Sequence, residues 1–162
     1  MARVAKKVRR KWAQSAARSR RANRKAYGLM HLAYEQDLAL QMDLPMADLQ
    51  SLAAYIWYKE KPPYPFPAVV AGRGGVNSDG SLYSYQQEDR IVLTRDNRTV
   101  LVLLHELAHA MVRHGRDHGV AFRRKFVYLL GEYSTIGKGQ ADNLHKYVES
   151  WFKIYYYTKK ES

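Results

Sequence analysis

Cysteine is missing from all 162 residues. That excludes a disulfide framework and any thiolate metal ligand, so a metal ion held by this chain must use histidine or carboxylate donors. It also fits a reducing compartment. Long apolar runs are missing too: none approaches the roughly 18 residues of a membrane-spanning helix, and the start lacks the apolar stretch of a signal peptide. The expectation is a soluble, cytoplasmic protein with no membrane partner. Length sets a further bound, since 162 residues suffice for one domain with a real core and are too few for two ordinary ones.

Acidic side chains are absent from residues 1 to 25, which carry eleven of the 27 Lys and Arg. The rest of the chain is nearly neutral, with 16 basic against 15 acidic residues. The net charge of +12 therefore belongs to an N-terminal arm, Arg3 through Lys25. The charge pattern divides the chain into a basic arm, 1–26, and a single domain, 27–162. Such an arm suits salt-sensitive, non-specific binding of nucleic acid, with Trp12 and Tyr27 available for stacking. A solvated, partly helical tail is the plainer reading, and an Arg-rich, Ser-containing start also resembles an organelle transit peptide.

The densest chemistry lies further on, where four of the six histidines fall between 105 and 118. In His105-Glu106-Leu107-Ala108-His109 the two histidines are four residues apart, so on a helix turning about 100° per residue they stand roughly 40° apart, one turn from each other. Two imidazoles so placed can grip one ion, and Glu106 on their flank can act as general base without being a ligand. The segment from Thr99 to Val112 is apolar and free of Gly and Pro, as a buried helix would be, and two neutral imidazoles and a carboxylate are costly there without a partner. Gly115 is a suitable C-terminal cap. Catalytic zinc usually keeps three protein ligands and leaves a fourth position to water. His118, just past the turn, is the preferred third ligand. His114 lies about 140° from His109 around the helix, and Glu132 would serve only in a glutamate-type site.

These residues, with His118-Gly119-Val120-Ala121-Phe122, resemble the SprT-like and Spartan metallopeptidases and the related WLM peptidases, in which H-E-x-x-H is followed by a third histidine in an H-G-x-x-F type segment. The resemblance covers roughly residues 88 to 130. It implies a zincin-like fold, a Zn2+ ion on His105, His109 and His118, Glu106 as catalytic acid/base, and protein or peptide substrates. The cysteine zinc ribbon that many SprT-like proteins carry has no counterpart in this sequence. The alternative from another class is a non-catalytic nucleic-acid-binding protein with a structural zinc site, which would need a fourth ligand such as Asp117 or His114.

The remaining pattern predicts an α+β fold, mostly helical, with a small antiparallel sheet packed beside the active-site helix. Helices are expected from Tyr27 to about Met42 and from about Met46 to Lys59, where Leu49, Leu52, Ala53 and Ile56 recur at helical spacing. The proline-rich run 61–67 is a stiff connector. Strands follow at Ala68 to Ala71, Ser81 to Gln86 and Arg90 to Thr94, with glycine-rich turns between them. By the resemblance, Arg90 to Thr94 is a strand that could pair with an extended peptide substrate, the equal alternative being a plain sheet strand. A helix carrying Phe122, Phe126, Leu129, Leu130 and Tyr133 closes the core, with Arg123, Arg124 and Lys125 facing water. A last helix runs from about Gln140 to Tyr157. Tyr128 or Tyr133 could donate to an oxyanion if folding brings either to the metal.

Overall fold

A computed structural model describes residues 2–73, 75–76, 82–87, 89–112 and 118–158, with side chains described between 17 and 150 except at 34, 38, 74–83, 85–88 and 113–117. Gly115, His114, Asp117 and Trp12 fall outside the described side chains. Five α-helices are present among the described residues: α1 (Ala2–Gln36), α2 (Met46–Glu60), α3 (Val100–Val112), α4 (Val120–Tyr133) and α5 (Lys138–Thr158). Five short strands lie between α2 and α3: β1 (Ala68–Ala71), β2 (Gly75–Val76), β3 (Leu82–Tyr83), β4 (Tyr85–Gln87) and β5 (Arg90–Leu93). The fold is α+β and mostly helical.

The basic segment and the helix expected after it are one element. α1 runs for 35 residues and passes through the 26/27 boundary suggested by charge. Ala, Arg and Lys favour helix, and no Gly or Pro interrupts before Gly28. It stops at Gln36, and a 3₁₀ turn over Leu38–Gln41, capped by the Asp37 side chain at 2.9 Å from the Ala39 amide, occupies what was expected to be its last turn. From Lys25 onward α1 enters the core, with Ala26, Leu29 and Ala33 fully buried.

α2 buries Leu49, Ala53, Ile56 and Trp57, and Gln50 Nε2 donates to the Val69 carbonyl at 2.8 Å, fixing α2 against β1. Its end is marked by Lys61 in the left-handed region, φ 45°, with its N–H bonded to Trp57 O. Two prolines follow, which cannot extend the helix.

The sheet departs from expectation. The order is β1-β5-β4, with β1 and β5 parallel and β4 and β5 antiparallel, so the sheet is mixed and not purely antiparallel. The reason is that β2 and β3 pair with each other as a separate two-stranded ribbon, Gly75 opposite Tyr83. β1 is thus left to be joined by β5, running the same way, with Val69 opposite Ile91. β5 is the central strand, flanked on both sides. It has no free edge for a peptide, and the sequence-based assignment of Arg90 to Thr94 as a substrate-pairing strand is corrected accordingly.

α3 lies at the centre, packed on α4, β4, β5, α2 and α1. Its first turn is held by Thr99, whose Oγ1 accepts from the Val102 amide at 3.3 Å, a side-chain cap of the usual kind. Leu101, Leu103, Leu104, Leu107, Ala108 and Ala110 are buried in the same cluster as Phe122, Phe126, Leu129 and Leu130 of α4. At 0.8 kcal/mol or so per buried methylene, this apolar contact dominates what holds the α3–α4 pair. α5 closes the other side of α4 and also meets α1.

Candidate metal centre

Helical spacing in α3 and the position of His118 ahead of α4 bring three imidazoles to one point. His118 Nε2 lies 3.0 Å from His105 Nε2 and 3.2 Å from His109 Nε2. A tetrahedral ion with nitrogen ligands at 2.0–2.1 Å requires donor separations of about 3.3 Å, so these spacings match a shared ion closely. Protein groups alone match it badly, since a neutral His118 Nε2 offers one proton or one lone pair, yet it has two nitrogens at hydrogen-bonding distance. His105 and His118 are buried and His109 is partly so. The three could hold a metal ion.

The rings are set in an aromatic frame. Phe122, one turn into α4, stacks on His109 with centroids 4.1 Å apart and meets His105 and His118 edge to face at 4.9 and 4.8 Å. Phe126 backs His105 at 5.5 Å. Tyr27 of α1 stacks on His105 at 6.4 Å and tilts over His118 at 5.4 Å. Such packing restricts the ring rotamers before any ion arrives.

Electrostatics points the same way. Burial pushes His105 well below its ordinary value, and the neighbouring His109 and His118 push it further. Burial and then His118 hold His109 down to about 3. Both are therefore neutral at physiological pH, the protonation state a metal ligand needs. Glu106 is only 6 % exposed, and burial pushes its carboxyl up to about 8. His105 Nδ1 is buried without a hydrogen-bond partner. A buried ring nitrogen without a partner beside a buried carboxyl is costly unless something offsets it.

His118 is fixed from two further directions. Its Nδ1 lies 2.9 Å from Asn23 Oδ1 on α1. Its carbonyl accepts from Arg123 Nη1 at 2.8 Å. Arg123 also meets Glu149 of α5 at 3.1 Å through both Nε and Nη2, and Lys25 of α1 pairs with the same carboxylate. Glu149 is partly buried; burial alone would raise its carboxyl, but the hydrogen bond from Lys25 and the charges of Arg123 and Lys25 bring it below the ordinary value.

Several sequence-based assignments change here. Arg123, expected to face water, is 6 % exposed and forms this partly buried ion pair. Lys125, also expected in water, pairs with Glu60 of α2 at 2.8 Å. Tyr128 and Tyr133, considered as oxyanion donors, both donate to Glu60, at 3.0 and 2.7 Å. Glu132 is exposed and faces Lys138 at 3.7 Å, outside the imidazole cluster. His31 pairs with Glu35 on the surface, and His145 lies by Glu149. Sequence reasoning missed Asn23 and Glu149, and read Lys25 and Tyr27 only as part of a nucleic-acid-binding arm, whereas Tyr27 packs on His105 and His118 and Lys25 pairs with Glu149. Asn23 and Tyr27 are four apart on one helix, a spacing that puts them on one face, but nothing local in the sequence points that face at His118.

Comparison with protein-family models, with curated proteins and with solved structures gives no match to this chain.

Proposed function

We propose that this chain is a zinc-dependent metallopeptidase of the SprT-like type, with His105, His109 and His118 as ligands and Glu106 as general acid/base. The observation that carries the reading is the convergence of three imidazole Nε2 atoms at 3.0 and 3.2 Å, with a buried carboxyl group on the same helix. Zinc suits an all-imidazole set, and three protein ligands leave a position open for chemistry. Bound there, zinc supplies Lewis acidity toward a carbonyl oxygen and lowers the pKa of water toward neutrality. Glu106 accepts the proton of the attacking water at a carboxylate oxygen and returns it to the leaving amine. Burial alone keeps Glu106 protonated at neutral pH, and a cation on the adjacent imidazoles favours its carboxylate form. Metal binding and activation of the base are thus one event.

An extended substrate would pair with β4, the outer strand beside β5 that packs on α3. Among the described residues β4 pairs with β5 alone, and its outer edge would offer the backbone donors and acceptors that β5 has already used. The basic part of α1 would hold nucleic acid without sequence preference, so that proteins bound to nucleic acid come within reach.

The test is metal analysis together with hydrolysis of a fluorescently labelled unfolded protein. Glu106→Gln is expected to keep one zinc per chain and to lose turnover by at least about 100-fold. His105→Ala and His109→Ala lose the zinc as well. Undiminished turnover in Glu106→Gln would remove the peptidase reading.

A further inference from the structure

We propose that Asn23, on the basic helix α1, is a positioning residue of the metal centre: it fixes the ring tautomer of His118 so that Nε2 presents its lone pair to the shared ion. This rests on the metal-centre reading but not on hydrolysis.

The argument starts from donors and acceptors. Asn23 Oδ1 can only accept, and it lies 2.9 Å from His118 Nδ1. Nδ1 must then carry the proton. In a neutral imidazole the other nitrogen, Nε2, is left as the acceptor, and Nε2 is the atom that faces His105 and His109. A histidine ligand whose remote N–H is held by an oxygen is oriented and made more basic toward metal. Asn23 is well placed to hold it. Lys25, two residues on, pairs with Glu149, and Glu149 pairs with the same Arg123 that donates to the His118 carbonyl. Ring and backbone of His118 are therefore tied to α1 by two separate routes. Tyr27, one turn after Asn23, lies over the same ring at 5.4 Å.

The experiment uses the full chain. Zinc dissociation is measured at neutral pH by competition with a chromophoric chelator for wild type, Asn23→Leu and Asn23→Asp, and the His118 ring nitrogens are assigned by 15N NMR in metal-free wild type. Asn23→Leu, of similar volume but without an acceptor, is expected to weaken zinc about 10- to 100-fold. Asn23→Asp, which keeps the acceptor, stays within a few-fold of wild type or tighter. The wild-type spectrum shows His118 protonated on Nδ1. Equal zinc affinity in wild type and Asn23→Leu overturns the proposal while leaving the metal centre standing. A wild-type His118 protonated on Nε2 overturns it even where the leucine variant does not fold. A wild type that takes up no zinc removes the metal-centre reading and this inference together.

Discussion

Glu106 and His109 pull the pH dependence of the metal-free protein in opposite directions. Glu106 has a folded-state value raised to about 8, so its contribution is greatest below the ordinary carboxylate range and is lost as pH rises toward 8. His109 is depressed to about 3; its contribution is complete above the ordinary imidazole value and is lost as pH falls toward 3. Glu106→Gln removes the first dependence and keeps the second. Urea unfolding of the metal-free chain should therefore find Glu106→Gln gaining on wild type by a few kcal/mol between acid and alkaline pH. Parallel pH profiles for the two proteins would show that the buried carboxylate carries no such cost. The residues in this balance were legible in the sequence because helical geometry alone relates 105, 106 and 109. Arg123 was not, since a cation in an Arg-Arg-Lys run reads as solvated until its acceptors, Glu149 and a backbone carbonyl, are in place. Asn23 lies 95 positions from its partner, a separation to which no local pattern is sensitive.

Among the elements, helices were read more faithfully than strands. α2, α3, α4 and α5 follow from apolar spacing, and strands at Ala68 to Ala71 and Arg90 to Leu93 fall where expected, but the segment read as one strand from Ser81 to Gln86 is split between β3 and β4, and Gly75, read as turn, lies in β2. Pairing is a different matter. Which strand joins which depends on the whole excursion between β1 and β5, and the β2–β3 ribbon diverts the chain so that β5 returns parallel to β1. The continuity of α1 was obscured by its charge, a property of side chains that leaves backbone propensity unaffected. One close contact gives the α4–α5 junction a sharp test. A Cβ at Gly131 would lie 2.8 Å from the Lys138 Cα at the start of α5. Backbone cannot yield there as a flexible side chain would. Gly131→Ala should thus cost about 1–3 kcal/mol despite the better helix propensity of alanine, measured by chemical denaturation. A gain in stability would mean that α5 shifts freely away from α4.

At the scale of the molecule, the basic helix and the three-histidine cluster cannot be separated at residue 25, since Asn23 of α1 meets His118. Deleting residues 1–16 takes away six of the eleven N-terminal cations but leaves Asn23, Lys25 and Tyr27. Deleting 1–25 takes Asn23 and Lys25 as well. The shorter deletion should retain zinc at wild-type affinity while weakening binding to duplex DNA and flattening its salt dependence. The longer one should lose zinc and unfold at a lower temperature, as metal analysis and calorimetry would report. Should the longer deletion hold zinc normally, α1 would be no part of the centre. The donor set has a further effect. With imidazole nitrogens as its identified donors and no cysteine in the sequence, the candidate site presents no thiolate for peroxide to attack. An oxidant that strips ions from cysteine-built sites is therefore expected to leave an ion held by these three imidazoles in place, which metal analysis after peroxide treatment would report.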